Sequence, residues 1–195
     1  MKIEYEAKFL NIDKDDIRQR LKEAGAELVK PEFLQKRFIF HLPGDLKEDS
    51  AWLRVRNEGD KVTLSFKKID GKEIHNQKEL CVDISDFKTG TDILKAIGCE
   101  ERMYQETKRE SWVLDGVEIT IDTWPFLEPF IEIESDSEQR VKEVSEKIGM
   151  DYNNAVFGAV GKVYKMKYGV GPSFHDGEGQ KLTFDCENPF LKLKK

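Results

Sequence analysis

The chain has 195 residues, with 32 Lys and Arg against 38 Asp and Glu, and its net charge is −6 at pH 7. This acidic balance argues against a nucleic-acid partner, and no apolar run is long enough to predict a transmembrane helix. Because no apolar signal-peptide core is visible either, we expect a cytoplasmic protein with one hydrophobic core. Its three cysteines lack metal-ligand spacing, which disfavours a zinc site or a disulfide framework.

The first predicted strand, residues 3–9, alternates charged and apolar side chains. Successive side chains of a strand point to opposite faces, so Glu4, Glu6 and Lys8 share one face while the apolar residues share the other. Two carboxylates and an ammonium on one face are the groups that a metal-phosphate site needs.

A helix is predicted next, because Asp13 can cap a segment in which Ile17 and Leu21 lie on one stripe. Gly25 provides its stop signal. A second strand is predicted over residues 35–42.

The third and fourth predicted strands, residues 51–57 and 62–68, each have one apolar and one polar face. Arg54 and Arg56 share the polar face of the first, and Lys67 lies on that of the second. These two strands therefore carry a cationic group.

Four more strands are predicted, with a helix ending at Gly98 between the first and the second of them. The strands cover residues 78–84, 105–114, 117–123 and 129–134. The acids Asp122, Glu132 and Glu134 alternate with apolar residues on the last two strands. For a single strand, a charged face that meets water is the simplest interpretation. The segregation of acids and bases by strand favours a ligand site instead.

A third helix is predicted from a cap at Ser135 or Asp136 to the residue before Gly149. A short fourth helix is predicted over residues 153–160.

The amphipathic helices must bury their apolar stripes, and the apolar strand faces can cover them. The charged faces then turn inward as a strongly twisted sheet closes on itself. The predicted fold class is α+β: an eight-stranded antiparallel β-barrel or tunnel with a polar, charged lumen and helices packed on the outside. We predict one domain over residues 1–168 and a tail, residues 169–195, in which residues 181–184 can add an edge strand.

This order of charged strands resembles the CYTH superfamily of triphosphate tunnel metalloenzymes. The superfamily includes class IV adenylyl cyclases, thiamine triphosphatases and inorganic triphosphatases. Its N-terminal signature, Glu-x-Glu-x-Lys, stands here as Glu4-Tyr5-Glu6-Ala7-Lys8. The motifs that follow in family order are Leu53-Arg54-Val55-Arg56, Leu64-Ser65-Phe66-Lys67, Lys78-Glu79, Lys108-Arg109, Ile121-Asp122 and Phe130-Ile131-Glu132-Ile133-Glu134.

The resemblance implies a tunnel whose bases bind a triphosphate and whose acids hold one or two Mg²⁺ or Mn²⁺ ions. The implied triphosphate-binding residues are Lys8, Arg54, Arg56, Lys67 and Arg109. The implied metal-binding residues are Glu4, Glu6, Asp122, Glu132 and Glu134, and Glu79 matches a tunnel acid of uncertain role. Lys67 is also the catalytic candidate, because a Lys among other cations can have a depressed pKa and help to activate water.

Three positions depart from the commonest family pattern. Arg37 stands where many members carry an Asp, and Lys78 stands near a position often occupied by Arg. The segment Phe126-Leu127-Glu128-Pro129 replaces a frequent Leu-Gly turn, which bears on the width of the tunnel mouth and on substrate choice.

The leading hypothesis is a metal-dependent enzyme that cleaves a phosphoanhydride bond of inorganic, thiamine or nucleoside triphosphate. Such chemistry gains mostly from positioning and charge neutralisation, and it requires no covalent nucleophile. The alternatives are a class IV adenylyl cyclase that converts ATP to cyclic AMP and pyrophosphate, a non-catalytic nucleotide or polyphosphate binder, and a structural barrel without ligand. The sequence leaves the oligomeric state open.

Overall fold

Eight strands close into one antiparallel barrel, as the alternation of side chains predicts. The structure, a computed structural model, describes residues 1–48, 50–169 and 181–193. Its strands are β1 (Lys2–Phe9), β2 (Glu27–Phe40), β3 (Ala51–Asn57), β4 (Val62–Ile69), β5 (Gln77–Ile84), β6 (Glu101–Leu114), β7 (Val117–Thr123), β8 (Phe130–Ser135) and β9 (Lys181–Leu182). Its helices are α1 (Lys14–Glu23), α2 (Phe87–Ala96), α3 (Glu138–Lys147) and α4 (Gly161–Tyr168).

The strand order around the barrel is β2-β3-β4-β5-β1-β8-β7-β6, and β6 pairs back with β2 to close the ring. The N-terminal strand β1 lies between β5 and β8, with Ile3 opposite Lys78 and Lys8 opposite Glu132. This placement brings the first charged strand next to the last one, although more than 120 residues separate them in sequence. Of the edge strand predicted at residues 181–184, the structure forms only the two-residue β9, which pairs in parallel with β6.

Helices cover the outer faces of the strands, where the apolar residues lie. α1 and α3 pack on β1, β7 and β8 through residues that include Ile17, Val141, Ile119 and Ile133. α2 covers a second cluster on β2, β3 and β4 through Leu94. Each of the described helices is too short or too polar to cross a lipid bilayer.

A third apolar cluster closes one end of the barrel. It joins Tyr164 of α4, Phe190 of the tail and three residues from the ends of the barrel strands, Met103, Trp124 and Phe130. Met103 and Phe130 have the same strand parity as the polar lumen residues, so their side chains fill the end of the lumen itself. The lumen is therefore closed at this end, which we call the plugged end.

Two predicted strands start earlier than the sequence pattern indicated. β2 begins at Glu27 rather than at residue 35, and β6 begins at Glu101 rather than at residue 105. The β2–β6 pairing shifts register between Leu28 and Lys30 and again between Lys30 and Phe33. Such bulges change which face each side chain takes, so this part of β2 shows no regular alternation.

The predicted positions of the third helix cap and of the fourth helix were wrong. The cap of α3 is Ser137, whose side chain accepts from the backbone N–H of Arg140. Residues 153–160 are not an α-helix, because Val156 forms two backbone hydrogen bonds with Lys8 of β1, at 2.9 and 3.0 Å. That pairing holds the chain extended, and the helix forms later, over Gly161–Tyr168. Of the tail, residues 170–180 and 194–195 lie outside the described residues.

Phe190 should contribute strongly to stability, because its fully buried ring stacks on Tyr164 and Tyr168 at centroid distances of 4.6 Å. We expect Phe190→Ala to lower the free energy of unfolding by about 3–5 kcal/mol in urea denaturation. The matched control is Leu191→Ala, since Leu191 is 63% exposed and should change stability by no more than about 0.5 kcal/mol. Equal effects of the two variants would show that the tail does not pack as described.

Candidate functional site

The structure brings all eleven predicted site residues to the lumen of the barrel. They lie on seven strands, β1 and β3 to β8, at positions whose side chains point inward: Glu4, Glu6, Lys8, Arg54, Arg56, Lys67, Glu79, Arg109, Asp122, Glu132 and Glu134. All are buried or half-buried. The period-2 pattern of each strand thus predicted which of these side chains face the interior.

One group of ion pairs joins β1, β6, β7 and β8. Lys8 contacts Glu6 and lies 3.2 Å from Glu132. Arg109 donates from Nε and Nη2 to the two carboxylate oxygens of Asp122 at 2.9 and 2.7 Å, and from Nη2 to Glu132 at 2.8 Å. In this half of the lumen two cations are therefore paired with three carboxylates, an excess of one acid.

A second group joins β1, β3, β4 and β5. Lys67 Nζ lies 2.8 Å from Glu4 and 3.4 Å from Glu79, and Arg54 donates to Glu79 at 3.0 Å. Two carboxylates are thus the ion-pair partners of Lys67. This differs from the cationic surroundings on which the water-activating role of Lys67 was predicted, and that role stays a prediction.

The carboxyl groups of this second group have strongly shifted pKa values. Burial, together with a hydrogen bond to Glu79, raises the pKa of Glu4 to about 7, although the charge of Lys67 opposes the shift. Burial acts in the same direction on Glu79, but the hydrogen bond with Glu4 and the charges of Lys67 and Arg54 lower its pKa to about 2. Burial also raises the pKa of Glu134, whose neighbours include Glu118 and Glu132. Glu4 is therefore a carboxyl that retains a proton up to nearly neutral pH.

The opposite wall of the lumen has polar atoms without partners. Within the described residues, these buried side chains each have a nitrogen or hydroxyl without a hydrogen-bond partner: Gln35, Arg37, Arg54, Arg56, Thr63, Ser65 and Gln77. They lie on β2, β3, β4 and the start of β5. Buried polar groups normally pair with protein or water, so a wall of free donors points to a ligand rich in acceptor oxygens.

The donor set of the lumen fits a hard divalent cation, although the carboxylates are not gathered around one point. Among the described residues, no three carboxylate, imidazole or thiolate groups lie close enough together to hold a metal ion. Each of Glu4, Glu6, Asp122 and Glu132 instead contacts a Lys or Arg. Carboxylate oxygens are the ligands that Mg²⁺ and Mn²⁺ prefer, and burial holds the pKa of Glu4 at about 7 even though Lys67 lies beside it.

Sequence reasoning did not place two lumen residues of β2 in the site. Gln35 and Arg37 share the inward face of β2, and Arg37 lies directly opposite Arg56 of β3. The alternation of Gln35, Arg37 and Ile39 along the predicted second strand was the signal that could have identified them. Glu58, which lies 2.6 Å from Arg56 just after β3, was also missed because it follows the end of the strand pattern.

Two surface cavities of about 520 and 450 Å³ lie outside the barrel, on either side of Met166. Neither is lined by a predicted site residue. The lumen is therefore the candidate site because of its charges and its buried donors, and cavity size does not contribute to that choice.

Comparisons with known proteins agree with this architecture. Residues 2–156 match the sequence model of the CYTH domain family. A Methanocaldococcus jannaschii protein, named as a candidate adenylate cyclase, is 28% identical over 147 residues, which cover 74% of this chain and 81% of that protein.

Solved structures share the fold at low sequence identity. A Vibrio parahaemolyticus protein, described as a candidate adenylate cyclase, has a TM-score of 0.71 and 15% identity over 84% of this chain and 98% of that chain. A Hippeastrum protein, described as a candidate adenylyl cyclase with a dominant triphosphatase activity, has a TM-score of 0.55 and 15% identity over 87% of this chain and 96% of that chain.

The raised pKa of Glu4 predicts a pH-dependent stability. Between pH 4.5 and about 7, the folded protein keeps a proton on Glu4 that the unfolded chain has released. The free energy of unfolding should therefore fall as pH rises through this window, by at most about 3 kcal/mol. Glu79, whose pKa is lowered, changes the free energy of unfolding only at pH values below this window.

We expect the free energy of unfolding of Glu4→Gln to fall less than that of the wild type between pH 4.5 and 7.5, as measured by urea denaturation without divalent metal. Glu143→Gln, a substitution of an exposed acid on α3, is the control and should match the wild type. If Glu4→Gln retains the full wild-type fall, Glu4 is not the group that holds the proton.

Proposed function

The chain belongs to the CYTH domain family, and from that premise we propose that it is a metal-dependent enzyme that hydrolyses a phosphoanhydride bond of a triphosphate. The observation that carries this proposal is the division of the lumen into two chemically different walls. Carboxylates concentrate on β1, β7 and β8, whereas β2, β3 and β4 carry guanidinium, hydroxyl and amide groups that each have, among the described residues, an atom without a hydrogen-bond partner. A phosphate chain with bound divalent metal presents both complementary charges at once.

Phosphate binding is proposed for the five basic residues Lys8, Arg54, Arg56, Lys67 and Arg109. Guanidinium groups stay protonated and form paired hydrogen bonds with phosphate oxygens. Arg54 and Arg56 support this role directly, because the Nε atom of each is buried without a partner. Thr63 and Ser65 lie on β4 directly opposite Arg56 and Arg54, respectively. Among the described residues, their hydroxyl groups have no hydrogen-bond partner.

Metal binding is proposed for Glu4, Glu6, Asp122, Glu132 and Glu134, which would hold Mg²⁺ or Mn²⁺. When bound, the metal would supply charge neutralisation on phosphoryl oxygens. The residues themselves position that charge: the β1–β8 register sets Glu6 opposite Glu134, and the acids of both strands therefore face the same part of the lumen.

Hydrolysis needs a water molecule and no covalent nucleophile, since phosphoryl transfer depends on positioning and on electrostatic stabilisation. Lys67 is the proposed catalytic residue. Its ammonium lies within reach of both Glu4 and Glu79, so it can leave these carboxylates for a phosphoryl oxygen or an attacking water.

Cyclisation of ATP is the competing reaction, and the names of related proteins include both activities. A cyclase must also hold an adenine base, for which aromatic side chains are the usual stacking partners. Trp124 and Phe130, two aromatic residues at the lumen end, are buried in the plugged end and pack against protein. Their burial favours hydrolysis over cyclisation.

Glu4 and Lys67 should be essential for turnover if the proposal is correct. We expect the wild type to release phosphate from tripolyphosphate, thiamine triphosphate or ATP with Mg²⁺ or Mn²⁺. Glu4→Gln and Lys67→Ala should each lower kcat by at least about 100-fold, because the first removes a metal-binding carboxylate and the second removes an ammonium that faces the reacting phosphate. Lys67→Arg should keep KM and lose kcat, because arginine retains the charge that binds phosphate but its planar guanidinium does not place a donor where the compact ammonium does.

The controls Glu143→Gln and Lys142→Ala change exposed residues of α3 and should retain wild-type rates. If cyclic AMP and pyrophosphate are the main products, the enzyme cyclises ATP instead of hydrolysing it. No turnover of any of the three substrates would contradict the enzyme proposal.

Ligand binding should stabilise the fold. At a tripolyphosphate concentration of 100 times the Kd, with Mg²⁺ present, the free energy of unfolding should rise by about 2.7 kcal/mol, which a thermal scan detects as a higher Tm. Chelation of the metal should remove most of this gain. An unchanged Tm with and without both ligands would support a structural barrel instead.

A further inference from the structure

Arg37 lies deep in the lumen, at the plugged end. It projects inward from β2 and is only 4% exposed. Its guanidinium lies over the ring of Trp124, 4.8 Å from the centroid, and Trp124 packs in the cluster that contains Tyr164 and Phe190. The side chain therefore lines the base of the lumen, where a ligand entering from the other end would stop.

No carboxylate contacts Arg37 among the described residues, which sets it apart from the other lumen cations. Lys8, Arg54, Arg56, Lys67 and Arg109 each have at least one carboxylate partner. Arg37 instead donates from Nη2 to the neutral side chains of Gln35, at 2.7 Å, and Thr107. Its Nε is buried without any hydrogen-bond partner.

The charged groups nearest to Arg37 are mostly cations. Arg56 lies directly opposite on β3, and Arg54 and Arg109 are the next cations that lower the pKa of Arg37. Asp122 is the one acid among the main contributors, and its charge raises this pKa. Burial and these cations lower the pKa of Arg37 well below its usual range. A guanidinium nevertheless stays protonated in proteins, so the ligand-free fold contains a buried positive charge that lacks compensation.

The plugged end also determines which part of a phosphate chain can reach Arg37. Met103, Trp124 and Phe130 fill the space beyond it. A nucleoside or other organic group attached to the phosphate chain would not pass into this apolar packing. The group that arrives first must be compact and strongly anionic, and an unsubstituted terminal phosphoryl group, with three non-bridging oxygens, has both properties.

We propose that Arg37, together with Arg56, binds the unsubstituted terminal phosphoryl group of a linear phosphate chain and so makes a free chain end the specificity determinant of this site. The proposal rests on the proposed function and extends it to a substrate class. Linear polyphosphates and triphosphate monoesters enter the lumen end-first, with any organic group left at the open mouth. Cyclic phosphates and triphosphates esterified at both ends lack the group that Arg37 recognises.

The alternative is a purely structural Arg37, which braces Gln35 and Thr107 and stacks on Trp124. The two roles predict opposite signs for the stability of the ligand-free protein. Removing an uncompensated buried charge should leave the ligand-free Tm unchanged or raise it, whereas removing a structural brace should lower it.

The test compares wild type, Arg37→Gln and the control Arg140→Gln, which removes a guanidinium that is outside the lumen and pairs with Asp136. The probes are linear tripolyphosphate and cyclic trimetaphosphate, both with Mg²⁺, measured by titration calorimetry and thermal unfolding. We expect Arg37→Gln to bind tripolyphosphate about 10- to 100-fold more weakly, the loss typical of charge-assisted hydrogen bonds, and to bind trimetaphosphate within about twofold of the wild type. Its ligand-free Tm should not fall.

Arg37→Lys should recover part of the lost affinity, because it restores the charge without the planar fork. If Arg37→Gln binds tripolyphosphate as the wild type does while the wild type hydrolyses it, the role of Arg37 is overturned and the proposed function stands. If Arg37→Gln has a lower ligand-free Tm and loses equal affinity for both probes, Arg37 is a structural brace, and its proposed role in phosphate recognition is overturned. If the wild type binds neither probe, the proposed function and this inference both fail.

Discussion

Ion pairing inside the barrel is the interaction on which the rest of the structure depends. Isolated charges in a protein interior cost several kcal/mol each, and this lumen contains Arg37 as well as the eleven predicted site residues. Arg109 lies between Asp122 and Glu132, and Lys67 lies between Glu4 and Glu79. Because these groups neutralise one another, the apolar faces of the same strands can point outward and bind the helices.

The same pairs explain how a self-neutralised interior can still receive a ligand. A metal ion would take the place of the cations beside the carboxylates, and phosphate oxygens would take the place of the carboxylates beside the cations. In the proposed function, this exchange would take place among groups that are already removed from water and held by a rigid sheet, so little further desolvation or ordering would be required. The raised pKa of Glu4 and the free Nε atoms of Arg54 and Arg56 indicate where internal compensation is weakest.

The plugged end gives the lumen a direction. α4 is fixed to the segment that precedes β8, because Lys167 and Tyr168 donate to the carbonyl oxygen of Phe126 at 2.9 and 2.7 Å. Phe126 has a φ of 64°, an uncommon conformation for a residue other than glycine. The Phe126–Pro129 departure from the common family turn is thus the place where the helix that closes the barrel docks.

Local sequence determined the faces of the strands and the identity of most of the site. The strand pleat has a period of two residues, so Glu4, Glu6 and Lys8 had to share one face wherever the strand was placed. Only the tertiary structure decided which charges meet, because partners on different strands depend on barrel closure and register. It gave Arg109 two carboxylates and, within the part of the chain that the structure describes, gave Arg37 none. It also held Val156 extended against β1, so that α4 formed later in the chain. These outcomes depend on contacts between distant residues, which no local pattern encodes.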